Sequence, residues 1–166
     1  MKKILFLLLL TLSFSGCEKD DICEEITSVT PRVIIEFYDF SQPTLLKNVV
    51  NLEVHTAGEQ DTIPVYNGVS KIKLPLNPIA ATTTYTLNLN STIPASANTD
   101  ILTFNYTTKE VFISRACGFK NIYELTNNNF NIHFDATTND GKWIRNLNIE
   151  TKNIETENET HIKIYF

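Results

Sequence analysis

Glycine and histidine are scarce. The 166 residues hold five Gly and three His, and nowhere does the chain read Gly-x-Ser-x-Gly, His-Glu-x-x-His, or as a glycine loop for phosphates or dinucleotides. The spacings that carry hydrolase, zinc-protease and nucleotide chemistry are therefore missing. Positive charge is also in deficit: 14 Lys+Arg face 19 Asp+Glu, a net −5. Such a balance cannot neutralise a phosphate backbone, so nucleic acid is a poor partner. No apolar run reaches the ~20 residues of a transmembrane helix, and helical periodicity is nearly absent. Cysteine is limited to Cys17, Cys23 and Cys117, with no C-x-x-C pair of the redox type. No cofactor is expected.

The N-terminus carries the clearest signal. Met1-Lys2-Lys3 is a basic start, and Ile4 to Leu12 is a compact apolar run behind it. This is the layout of an export signal, whose helix is temporary. Leu12-Ser13-Phe14-Ser15-Gly16-Cys17 follows and resembles a bacterial lipobox, with Phe14 in place of the more usual Leu as its one departure. The resemblance implies a diacylglyceryl group on the Cys17 sulfur, cleavage before Cys17 and acylation of the new amine. The alternative is an ordinary secretory signal with an incidental cysteine. Two or three acyl chains, at ~0.8 kcal/mol per buried methylene, anchor a protein stably. Glu18-Lys19-Asp20-Asp21 resembles the Lys-Asp/Asp surface-export tag of Bacteroidota-type lipoproteins and marks Lys19, Asp20 and Asp21 as an export signal. The plainer reading is a charged linker kept in solvent.

Residues 1–16 are thus read as a lipoprotein signal peptide, 17–30 as a lipidated linker and 31–166 as a single domain. Loss of Lys2 and Lys3 leaves 12 basic against 19 acidic side chains, a net −7. With Cys17 committed to lipid, Cys23 and Cys117 remain in an oxidising compartment, where a disulfide is the natural pairing. Two free thiols, or a redox pair, are the alternatives. A bridge closing this long a loop is worth about 4–5 kcal/mol by chain entropy, and it would fix where the tether leaves the domain. The five residues from Glu18 to Ile22 extend at most about 17–18 Å.

Beyond the linker, alternation with period two dominates. Pro31 to Asp39 puts Val33, Ile35 and Phe37 on one face; Asn48 to Thr56 puts Val50, Leu52 and Val54 inward and Asn51, Glu53 and His55 outward. Thr62–Tyr66 and Val69–Leu74 flank Asn67-Gly68, which predicts a type I′ hairpin. Pro75 and Pro78 make Leu74 to Ala81 a loop between sheets or along an edge. Tyr85, Leu87 and Leu89 alternate in Thr84–Asn90, as do Leu102, Phe104 and Tyr106 in Asp100–Tyr106. Further strands are predicted at Val111–Arg115, Ile122–Thr126, Phe130–Ala136, Trp143–Glu150 and His161–Phe166, with a polar loop at Thr151–Thr160. The expected fold is all-β: an antiparallel β-sandwich, immunoglobulin-like in the loose sense, after the N-terminal signal helix. The terminal strand ending in Phe166 also resembles the end of an outer-membrane barrel, but Asn and Thr fill one face of the strands where a barrel needs lipid-facing residues.

Chemistry is thinly represented. His133 and Asp135 share a strand face in Asn131-Ile132-His133-Phe134-Asp135 and could begin a metal site, but no further ligand cluster accompanies them. A polar strand face explains them as well. Asp135 and Asp140 with nearby asparagines could offer oxygen ligands to calcium, without EF-hand spacing. Ser114 is a candidate nucleophile only if a triad assembles in space. Asp61-Thr62-Ile63 resembles a bacterial O-glycosylation acceptor, making Thr62 a candidate modification site. Trp143, with Tyr123 or Tyr165, is a candidate exposed aromatic patch, core packing being the alternative.

The lipobox with a second cysteine six residues on, the strand Thr30-Pro31-Arg32-Val33-Ile34-Ile35-Glu36-Phe37-Tyr38-Asp39, and Phe112-Ile113-Ser114-Arg115-Ala116-Cys117-Gly118-Phe119 together resemble an uncharacterised, domain-of-unknown-function family of Bacteroidota-type lipoproteins. The resemblance implies location and architecture, brings no catalytic residue, and suggests an outer-membrane β-barrel protein as partner. The chain is therefore expected to be lipid-anchored through Cys17 at the outer membrane, displayed at the cell surface, and to act as a non-catalytic interaction or accessory module. A periplasmic-facing location is the alternative. A surface ligand or glycan binder is the second functional reading, and a hydrolase with a dispersed site the third. If Lys19, Asp20 and Asp21 direct surface display, replacing all three with alanine lowers protease accessibility of the protein on intact cells. Unchanged accessibility, or none in the wild type, removes the argument.

Overall fold

The computed structural model describes residues 23, 29–56, 62–126, 131–134 and 141–166. The signal segment, Cys17, Lys19, Asp20, Asp21, Asp61, Asp135 and Asp140 lie outside them. Eleven strands are present among the described residues: β1 Val33–Tyr38, β2 Leu52–Thr56, β3 Thr62–Tyr66, β4 Lys71–Leu74, β5 Thr82–Leu89, β6 Asn98–Ser114, β7 Gly118–Leu125, β8 Asn131–Phe134, β9 Asn146–Ile149, β10 Asn153–Ile154 and β11 Ile162–Tyr165. The first sheet has the order β4-β1-β11-β9; the second has the order β10-β7-β6-β5-β2-β3, with β8 also paired to β6. The two sheets pack together as an all-β sandwich. β1 and β11 run parallel, with Ile35 opposite Ile162, while β1–β4, β11–β9, β10–β7, β2–β3, β2–β5, β5–β6 and β6–β8 are antiparallel.

The chain divides into two compact units, one of Thr30–Glu110 and Asn121–Phe166 and one of Met1–Val29 and Val111–Lys120. The larger unit holds the core. Inward residues follow the period-two pattern: Val33, Ile35 and Phe37 on β1, Tyr85 and Leu87 on β5, Leu102, Phe104 and Tyr106 on β6, and Ile162 and Ile164 on β11. Burying each large apolar side chain contributes about 1.5–3 kcal/mol. Trp143, Tyr123 and Tyr165 are also buried, so the aromatic patch expected of them does not exist. Trp143 and Tyr123 join the core, and the Trp143 indole N–H donates to the Leu87 carbonyl at 3.1 Å; Tyr165 is covered instead by Tyr38 on the neighbouring strand, with ring centroids 5.7 Å apart. Phe166 turns inward as well, its ring edge-on to Trp143 at 5.5 Å and to Phe37 at 6.0 Å.

Three local expectations change. Asn67-Gly68 does not close a hairpin: β3 pairs with β2 and β4 with β1, so this turn carries the chain from one sheet to the other. Gly68 has φ +69° while Asn67 is not left-handed, whereas a type I′ turn needs both. Val49 occupies the corner, donating to the Val69 carbonyl and accepting from Gly68. In the β2 region Val49 is buried and Val50 is 46% exposed, the reverse of the alternation. Asn51, with φ +45°, takes a left-handed conformation that asparagine tolerates and shifts the parity of everything before it. Finally, β6 is one strand of 17 residues where two were expected.

The loop between β4 and β5 crosses from one sheet to the other, as its prolines suggest. Three buried tyrosines hold it: the Tyr85 hydroxyl donates to the Pro75 carbonyl, Tyr123 to Leu76 at 3.2 Å and Tyr106 to Asn77 at 2.7 Å. Thr83 meets the Tyr106 hydroxyl at 2.6 Å and accepts from the Asn77 amide at 3.0 Å. Burial pushes the Tyr106 and Tyr123 hydroxyls above the usual phenol range, so they stay protonated and donate.

At the start of β1, Arg32 grips Glu157 through Nε at 2.6 Å, Nη2 at 2.9 Å and its backbone amide at 3.0 Å, and Lys73 of β4 joins at 2.9 Å. Arg32 first, then Lys73, holds the Glu157 carboxyl down at about 2 against an ordinary 4.5. A carboxyl depressed in the folded state contributes stability that is fully present above its ordinary value and is lost as pH falls from about 4.5 to about 2. The Arg32 side chain is 47% exposed, so solvent screening limits the contribution to about 1 kcal/mol. Glu157→Gln therefore lowers stability by about that much at pH 7 and by little at pH 2.5, read by urea unfolding at both pH values. An equal loss at both would mean that the ion pairs contribute nothing.

Candidate functional site

The smaller unit contains the most unusual surface. From Thr107 to Ser114 no residue of β6 is buried, although the strand continues with β7 beside it. Residues on the core-facing parity, Leu102, Phe104 and Tyr106, give way to exposed Thr108 and Glu110 and then to Phe112. The turn that follows is built from its own sequence. The Ser114 hydroxyl accepts from the Cys117 amide at 3.1 Å, and Gly118 takes φ +69° with open space around it, a conformation that costs glycine nothing. Ser114 thus closes a turn.

Cys117 is bridged to Cys23, with sulfurs 2.08 Å apart and Cα atoms 5.0 Å apart, inside the range a disulfide requires. The sequence pairing of these two cysteines is therefore the one the fold uses. Beside the bridge, Phe112 and Phe119 are 57% and 59% exposed, and their rings meet edge-to-face with centroids 5.2 Å apart. The pair forms one apolar spot. Exposed Arg115 and half-buried Lys120 lie in the same Val111–Lys120 segment, which carries no acid. Exposed apolar side chains occur elsewhere, as at Phe40, Leu45, Leu46 and Ile79, and scattered examples are normal. An aromatic pair in ring contact beside a covalent clamp is a different arrangement.

The histidines and the remaining sequence candidates have structural roles or undescribed surroundings. His161 is buried, its Nδ1 accepting from the Ile34 amide at 2.9 Å, and burial pushes it below the usual imidazole range. His55 pairs with Glu53 at 2.9 Å on the β2 surface. His133 stands opposite Ile101 in the β6–β8 ladder, while Asp135, its expected neighbour on that face, is outside the described residues. Thr62 opens β3 opposite His55. Among the described residues no group of three or more His, Cys, Asp or Glu could hold a metal ion, and no helix is long and apolar enough to cross a membrane.

Residues 51–166 match a family of unknown function, DUF6452. The chain belongs to this family. Neither the curated proteins nor the solved structures contain a match. The part of this DUF6452 member that matches includes Cys117, Phe112 and Phe119 but begins after Cys23.

The aromatic pair was not anticipated as a surface, although its segment was conspicuous for Ala-Cys-Gly-Phe. The available signal was the interruption of the apolar face by Thr108 and Glu110, which separates Phe112 from the core residues of the same strand. If the Cys23–Cys117 bridge is formed in the mature protein, unreduced material takes up no alkylating reagent, and two alkylations appear only after reduction, as read by intact mass. Two reactive thiols in freshly prepared protein would contradict the bridge.

Proposed function

We propose that this DUF6452 member is a lipid-anchored envelope protein of the Bacteroidota type, held at the outer membrane by acyl chains on Cys17 and acting by binding rather than catalysis. The observation that carries this reading is the Cys23–Cys117 disulfide. It uses both cysteines that remain once the lipobox cysteine is committed to lipid, and disulfides persist in exported proteins. Glu18-Lys19-Asp20-Asp21 supports display on the cell surface. An interaction role is supported by the exposed Phe112–Phe119 pair on a covalently closed turn, since rigid aromatics offer contact area at low entropic cost. An integral outer-membrane β-barrel protein is the candidate partner, because a leader of at most about 17–18 Å keeps Cys23 close to the bilayer.

Labelling cells with an alkyne fatty acid tests the anchor. The wild-type chain takes the label and fractionates with outer membrane; Cys17→Ala is unlabelled and is released or mislocalised. A Cys17→Ala protein that still partitions into membrane after signal cleavage overturns the reading.

A further inference from the structure

The aromatic pair has a definite neighbour if the chain is anchored as proposed, and the following rests on that reading. We propose that Phe112 and Phe119 form an interfacial membrane-contact site, seated in the headgroup region of the same bilayer that holds the Cys17 acyl chains. Three observations converge on a lipid surface. Cys23 lies six residues after Cys17, so Glu18 to Ile22 span at most about 17–18 Å. Cys23 and Cys117 have Cα atoms 5.0 Å apart, and Phe119 follows Cys117 by two residues, a reach of about 7 Å. The disulfide therefore ties the aromatic pair covalently to the anchored leader.

The second observation is the shape of the pair. Two phenyl rings more than half exposed and in edge-to-face contact make a compact apolar wedge on the strand ends that flank the closed turn, and exposed apolar rings of this kind bury at the boundary between headgroups and acyl chains. The third is charge. Arg115 and Lys120 are the only ionised side chains of Val111–Lys120, in a chain whose overall balance is acidic. An exposed guanidinium in the same short segment can meet lipid phosphates with its planar fork. The leader carries Glu18, Asp20 and Asp21, and Glu24 and Glu25 follow Cys23; these acids oppose any electrostatic attraction. Ring insertion, rather than charge, is accordingly the driving term, and the contact persists at high salt.

The test uses the full lipidated protein carrying Phe119→Trp, purified from its own membranes and reconstituted into phosphatidylethanolamine vesicles containing lipids brominated near the glycerol end of their chains. The buried Trp143 of the parent protein gives the background. Flotation with the vesicles is scored first and reports the anchor alone. The expected result is about a twofold or greater loss of emission from the introduced indole, retained in about 0.5 M salt, with Trp143 unaffected. Phe112→Trp gives the same result independently. Phe112→Ser combined with Phe119→Trp floats equally well but is quenched several-fold less. Protein that floats with the introduced indole unquenched overturns the membrane contact and leaves the anchor standing. Protein that fails to float overturns both. Shielding of that indole from acrylamide only when outer-membrane proteins are co-reconstituted overturns the lipid contact in favour of a protein partner.

Discussion

The larger unit depends on the satisfaction of three buried phenols. Tyr85, Tyr106 and Tyr123 bring large rings into the core, and each must find an acceptor for its hydroxyl, because an unpaired buried hydroxyl costs a few kcal/mol. All three acceptors come from consecutive carbonyls, those of Pro75, Leu76 and Asn77. The segment that leaves the first sheet for the second is thereby fixed to strands β5, β6 and β7 of the second. The prolines of this loop cannot donate to a ladder, which leaves it irregular, and the tyrosines give it a fixed path. Crossing and packing are thus one arrangement.

The smaller unit answers a different constraint. Its β6 and β7 residues lack a buried face, so pairing and burial together do not hold them as they hold the sheets. What fixes this end is the Ser114–Cys117 turn, the left-handed Gly118 and the bridge to Cys23. A covalent clamp suits a segment that leaves two phenylalanines in solvent, because it does not require them for folding. The rings are then available for contact with something else. This division, with apolar side chains spent on stability in one unit and left outside in the other, is the main structural support for reading the protein as an interaction module.

Legibility in the sequence followed the range of the forces involved. The β-class, the inward sets of β1, β5, β6 and β11, the loop at Pro75 and Pro78 and the pairing of Cys23 with Cys117 were all readable, because alternation, proline chemistry and cysteine count are local or compositional properties. The parity of Val49 and Val50 was not, since one left-handed residue, Asn51, reverses it, and asparagine adopts that conformation only where its surroundings ask for it. The Asn67-Gly68 turn was misread for a related reason. Its hairpin preference is a small local term, whereas Ile72 and Leu74 gain burial by pairing β4 with β1.

The sequence by itself carried the resemblances to an export signal and to a lipobox at Cys17, and it determined the strand-forming alternation, since each is written in consecutive residues. Only the tertiary structure decided which aromatics would be inside. Trp143 and Tyr123 found carbonyl acceptors from distant parts of the chain and Tyr165 a ring partner in Tyr38 on the neighbouring strand, while Phe112 and Phe119 are more than half exposed. Burial is a property of what packs opposite a side chain, and that opposite residue comes from a distant part of the chain. Alternation tells which residues share a face, and only the packed sheets tell whether that face meets protein or solvent.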